Sequence, residues 1–137
     1  MKGTKPPTVV DLVWTRDLTF TVATAKSTLT LDASGVAGPS PVDALAAALA
    51  GCMTTDVTDI LVKGRHPLLA LRSHFVADRA QDDPHRFLRA VLSFSIEGAV
   101  PAAAVEHAIA LSRDKYCSVW HSMRQDIEFT TAYEICG

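Results

Sequence analysis

The 137-residue sequence has only three cysteines, widely spaced, and no Cys-x-x-Cys pair. A secreted disulfide framework, a structural zinc site and thioredoxin-like exchange are therefore all disfavoured. It also lacks G-x-G-x-x-G, a P-loop, H-E-x-x-H and G-x-S-x-G, so nothing points to a dinucleotide, nucleotide, zinc-protease or serine-hydrolase site. No cofactor and no metal are expected. The formal net charge of −2 offers little attraction to phosphate backbones or anionic lipid. Neither nucleic acid nor a membrane is an expected partner. No apolar run is read as membrane-spanning, and the opening Met1-Lys2-Gly3-Thr4-Lys5-Pro6-Pro7 lacks a signal-like apolar segment. The expected location is cytoplasmic.

What is present is an ordinary globular composition, 48% hydrophobic and 20% charged, in a length that suits one domain with its own core. After a tail at 1–8, Val9 to Trp14, Leu18 to Thr24 and Thr28 to Leu31 read as three short strands, with Leu18, Phe20 and Val22 on one face. A loop rich in glycine, serine and proline then leads to Ser40-Pro41-Val42-Asp43, a helix start. Ser40 caps it, Pro41 tolerates the first turn, and Asp43 completes an S-x-x-D pattern. The helix runs to Lys63, with Gly64 and Pro67 beyond. Leu68 to Val76 and Arg86 to Glu97 read as strands, Pro101 opens a helix through Arg113, and a short helix spans Cys117 to Met123. Ile127 to Ile135 alternates as a last strand. The order is βββ-α-ββ-α-α-β in a single domain over 1–137, which is an α+β class and not a doubly wound one.

The long helix is small-sided at Ala44, Ala47, Ala48 and Gly51 and bulky at Met53, Val57, Ile60 and Leu61. Another backbone can approach the small face closely, whether from the same domain or from a second subunit. Cys52 lies about 16 Å from the helix start, at ~1.5 Å per residue, too far to gain from the helix dipole. Leu45, Leu49 and Asp56 share its side of the helix, which favours the neutral thiol. Cys52 is thus a core residue unless the fold brings it a cation. Cys117 follows Arg113 and Lys115 at a helix start, and local electrostatics make it the more acidic thiol, the alternative being a part-buried corner cysteine. Cys117 and His121 share a helical face, but two ligands do not make a metal site. Cys136 is incidental.

Gly38-Pro39-Ser40-Pro41-Val42-Asp43-Ala44-Leu45, running through Ala47 to Gly51 into Cys52, with a second cysteine in Lys115-Tyr116-Cys117-Ser118-Val119, resembles the OsmC/Ohr family, in its OsmC-like branch. The resemblance implies an intertwined homodimer, with antiparallel sheets wrapped around long central helices. It implies a thiol-dependent peroxidase acting in oxidative-stress defence. Cys52 would attack an organic hydroperoxide and become a sulfenic acid, Cys117 would resolve it, and a dihydrolipoyl-type dithiol would reduce the product. It also implies an arginine against the first thiolate. Arg16, followed by Asp17, is the best match, and a plain hairpin arginine is the other reading. The peroxidase branch carries a glutamate after the helix-opening proline, where this chain has Val42. That departure leaves open a non-catalytic dimer binding a small apolar or thiol-bearing ligand.

Overall fold

The computed structural model describes residues 3–137, and Met1 and Lys2 of the expected tail lie outside them. The backbone gathers into two compact units, residues 1–45 and 46–137, and the long helix begins in one and continues in the other.

In the first unit, β1 (Asp11–Arg16), β2 (Thr19–Ala23) and β3 (Thr28–Asp32) form an antiparallel sheet in chain order. Trp14 pairs with Phe20, and a bulge precedes Arg16, which pairs with Thr19. The expected face of Leu18, Phe20 and Val22 is only partly realised: Val22 is buried, Phe20 half-buried, and Leu18 is 65% exposed in the turn before β2. All of β1 is exposed, including Leu12, Val13 and Trp14.

The loop after β3 is organised by one side chain. The Asp32 carboxylate accepts the Ala37 N–H at 2.9 Å and the Ser34 N–H and hydroxyl at 3.0 and 2.8 Å. These donors, Ala37 first, lower its pKa to about 2. Ser40 Oγ then accepts the Asp43 N–H at 3.1 Å, which caps α1 (Pro41–Lys63) as the S-x-x-D pattern requires.

In the second unit, α1 buries Leu49, Met53, Val57 and Leu61, spaced by four along one stripe. Burial of each contributes about 1.5–3 kcal/mol. The helix ends at Lys63, and Arg65, not Gly64, takes the left-handed conformation (φ 60°). By length and composition α1 could cross a membrane, contrary to the sequence reading, yet this stripe is spent on the protein core. Thr54 Oγ1 also meets Ser73 Oγ at 2.8 Å.

The strands β4 (Leu68–Arg79) and β5 (Phe87–Gly98) pair antiparallel along their lengths. Leu92, Phe94 and Ile96 alternate into the core. β4 runs beyond Val76 because Asp78 and Arg89 face each other across the pair and join at 2.9 Å. The chain then crosses over through α2 (Ala102–Leu111), a π-helical turn (Ser112–Tyr116) and the short α3 (Ser118–His121), before β6 (Glu128–Cys136).

The α+β class and the element order stand. One pairing departs from the expected antiparallel sheets, because β6 lies parallel to β5. The helical crossover supplies the return path that a parallel pairing needs.

Gly98 has φ 128°, and a Cβ there would collide with the Pro67 carbonyl oxygen. Gly98→Ala is predicted to cost about 1–3 kcal/mol, read as a lowered urea midpoint. Ala at Gly51, where a Cβ meets nothing within 4 Å, is the control.

Candidate functional site

Cys52 immediately precedes Met53 on α1, and one helical step turns a side chain by about 100°. The cysteine therefore sits at the margin of the buried stripe and is half-buried, as is Asp56 one turn later. Cys117 arrives from the crossover. It caps α3, its side chain is fully buried, and the Trp120 N–H donates to its sulfur at 3.4 Å.

Cys52 and Cys117 are free thiols, and their side chains are neighbours close enough to interact. Burial, above all, pushes the Cys117 thiol up to about 11, and the neighbouring Cys52 side chain pushes the same way, against the Trp120 N–H.

This runs against the expectation that local electrostatics make Cys117 an acidic thiol. The cations that motivated it are engaged with rings. The Arg113 guanidinium lies 5.0 Å from the Phe129 centroid and 5.8 Å from that of Trp120, and Lys115 Nζ lies 5.2 Å from the Tyr116 ring. Sequence proximity placed positive charge near Cys117, while the fold buried the sulfur and turned Arg113 toward aromatic faces.

A polar connection runs beside the two sulfurs. The α2 stripe Val105, Ala108, Ile109 ends in Ser112, whose fully buried hydroxyl donates to Asp56 Oδ2 at 2.7 Å. The Ser112 carbonyl accepts the Cys117 N–H at 2.8 Å, closing the π turn. The sequence reading ran this helix through Arg113 and gave Ser112 no role. The signal was present: a hydroxyl at the end of an apolar stripe needs a buried partner.

Arg16 belongs to the first unit. With Asp17, Leu18, Thr19, Asp32 and Ser34 it lines an open hollow of about 500 Å³. Asp17 takes a left-handed turn conformation (φ 47°), and its carbonyl accepts the Trp14 indole N–H at 2.7 Å. Val42 is half-buried at the start of α1, and Cys136 is exposed at the end of β6. Among the described residues, no group of three or more His, Cys, Asp or Glu is arranged to hold a metal ion.

Residues 32–132 match the family model described as OsmC-like protein. The chain belongs to the OsmC-like family. Protein YhfA of Escherichia coli (strain K12) is 33% identical over 125 residues, which cover 89% of this chain and 93% of YhfA. The crystal structure of a hypothetical protein from Aquifex aeolicus VF5 superposes with a TM-score of 0.88 at 23% identity, covering 96% of this chain and 98% of that one. An organic hydroperoxide resistance protein from Elizabethkingia anophelis superposes with a TM-score of 0.69 at 14% identity, over 98% of this chain and 100% of the other. At these identities the two structures establish the OsmC/Ohr fold and no more.

A thiol pKa raised from 9.0 to about 11 favours the neutral group in the folded protein. Its stabilising effect is full below the unfolded value and is lost as pH rises through about 11. At pH 8, iodoacetamide is predicted to alkylate Cys117 at least about a hundred-fold more slowly than exposed Cys136, because both thiolate formation and access are suppressed. Peptide mass spectrometry reads the two rates.

Proposed function

We propose that the protein is a thiol-dependent peroxidase that reduces organic hydroperoxides in the cytoplasm, with Cys52 as the attacking residue and Cys117 as the resolving one. The observation that carries this reading is the adjacency of two free thiols contributed by separate elements, one half-exposed and one buried. Solved neighbours titled organic hydroperoxide resistance proteins give it chemical direction.

The Cys52 thiolate attacks the terminal oxygen of the hydroperoxide. The O–O bond breaks, the alcohol leaves after taking a proton, and Cys52 becomes a sulfenic acid. Cys117 is a neutral thiol at this stage. As its sulfur bonds to that of Cys52, its proton leaves with the departing hydroxyl as water, so no external acid is required. A dihydrolipoyl-type dithiol then reduces the disulfide by exchange.

Cys52 needs a cation to hold it as a thiolate, and Arg16 takes that role in the proposal, from its own subunit or the partner. The acting form is a homodimer. In its favour, β1 exposes Leu12, Val13 and Trp14, and α1 leaves Gly51 open and Val62 57% exposed. These are apolar and small surfaces of the kind a second copy covers.

One equivalent of cumene hydroperoxide should convert wild-type protein to the Cys52–Cys117 disulfide, seen by peptide mapping. Cys52→Ser should abolish peroxide consumption, and Arg16→Ala should slow Cys52 oxidation about ten- to a hundred-fold, the kinetic equivalent of one charged hydrogen bond. A Cys52 that stays reduced in intact wild-type protein ends the enzymatic reading.

For assembly, light scattering should give the mass of two chains, and Gly51→Leu should shift it toward one. A monomeric wild type rules the dimer out.

Val42 favours one rival, a non-catalytic dimer that binds a small apolar or thiol-bearing ligand, because Arg16 then lacks the carboxylate expected after Pro41. Peroxide consumption at turnover rates with dithiol present would exclude it.

A further inference from the structure

We propose that the part-buried hydrogen bond from Ser112 to Asp56 is a positioning device that seats the Cys117 sulfur against Cys52. The inference rests on the peroxidase reading for its biological purpose, but its geometry stands independently.

Polar structure joins the elements that carry the two cysteines at Ser112. Cys52 and Asp56 are one turn apart on α1, so they present side chains on the same face. Ser112 and Cys117 are the first residue of the π turn and its C-terminal cap. Ser112 grips both elements. Its hydroxyl donates to Asp56 Oδ2 at 2.7 Å, and its carbonyl accepts the Cys117 N–H at 2.8 Å. The path Asp56 to Ser112 to the Cys117 backbone fixes the start of the capping residue relative to the turn of α1 that bears Cys52.

A simple core would not need this arrangement. Ser112 occupies the position that continues the stripe of Val105, Ala108 and Ile109, and it is fully buried. An alanine there would continue the apolar stripe without a buried hydroxyl to satisfy. A short bond to a carboxylate is directional and among the stronger of protein hydrogen bonds. The turn that follows it is also π-helical, a form that recurs at functional sites because its wider spacing re-aims the next residue. Here the residue re-aimed is Cys117, whose sulfur must meet that of Cys52 for any disulfide to form.

The positioning is tested apart from peroxide chemistry by closing the disulfide with diamide. Two thiols are oxidised to one disulfide and the azo bond of diamide is reduced to a hydrazine. Full-length wild type, Asp56→Ala, Ser112→Ala and Asp56→Asn are compared at a temperature where circular dichroism shows each folded, with Cys52–Cys117 closure read by peptide mass spectrometry. Asp56→Ala and Ser112→Ala are expected to close about ten-fold more slowly or worse, while Ser112→Ala, which keeps the Asp56 charge, leaves Cys52 alkylation by iodoacetamide at its wild-type rate. Asp56→Asn retains an acceptor oxygen and should close near the wild-type rate.

Alanine variants that close as fast as wild type overturn the proposal, as does an Asp56→Asn variant as slow as Asp56→Ala. If neither alanine variant folds, an Asp56→Asn variant that closes about ten-fold more slowly than wild type overturns the proposal by itself. A wild type that fails to close with diamide overturns it too. A wild type that closes with diamide but not with hydroperoxide overturns the peroxidase reading alone.

Discussion

The proposed chemistry depends on keeping a sulfur out of water. Cys117 is fully enclosed, its thiol raised to about 11 chiefly by that enclosure, and one backbone N–H from Trp120 is directed at it. A thiolate in such a place would lack solvation, so the neutral thiol is the resting form. The two cysteines thereby acquire different characters from their surroundings. One lies at the margin of a helix stripe where solvent reaches it, and the other lies inside where solvent does not. That asymmetry follows from a single helical step on α1 and from the turn that folds Cys117 inward.

Much of this architecture could be read from local signals. Ser40, Pro41 and Asp43 set the start of α1, and a helix of 23 residues then ended at Lys63 as read. The run from Arg86 to Glu97, read as a strand, matches β5 to within one residue at each end. Both rest on neighbours in the chain, where period and capping chemistry carry the information. The motif pair around Cys52 and Cys117 pointed to the family to which the chain belongs.

What escaped the sequence was decided by distant partners. Arg113 looked like a cation for Cys117 because it is four residues away, but its guanidinium settles over Phe129, on a strand that follows. Ser112 looked like one more residue of the helix through Arg113, and its meaning depends on Asp56 of α1. The parallel entry of β6 could not be inferred from its own alternation, which would serve either direction equally. Leu18 followed the strand's period on paper yet fell in the turn, where the left-handed Asp17 redirects the chain.

The parallel crossover has a consequence for motion. The segment bearing Cys117 is tied to the sheet at both ends, by β5 before it and by β6 after it, and these strands are hydrogen-bonded side by side. A loop fastened at one end can swing; a strap fastened at two can only flex along its length. Any approach of Cys117 to another atom must therefore be accommodated within the helices and turn of the strap itself, by small torsional changes that leave its moorings in place.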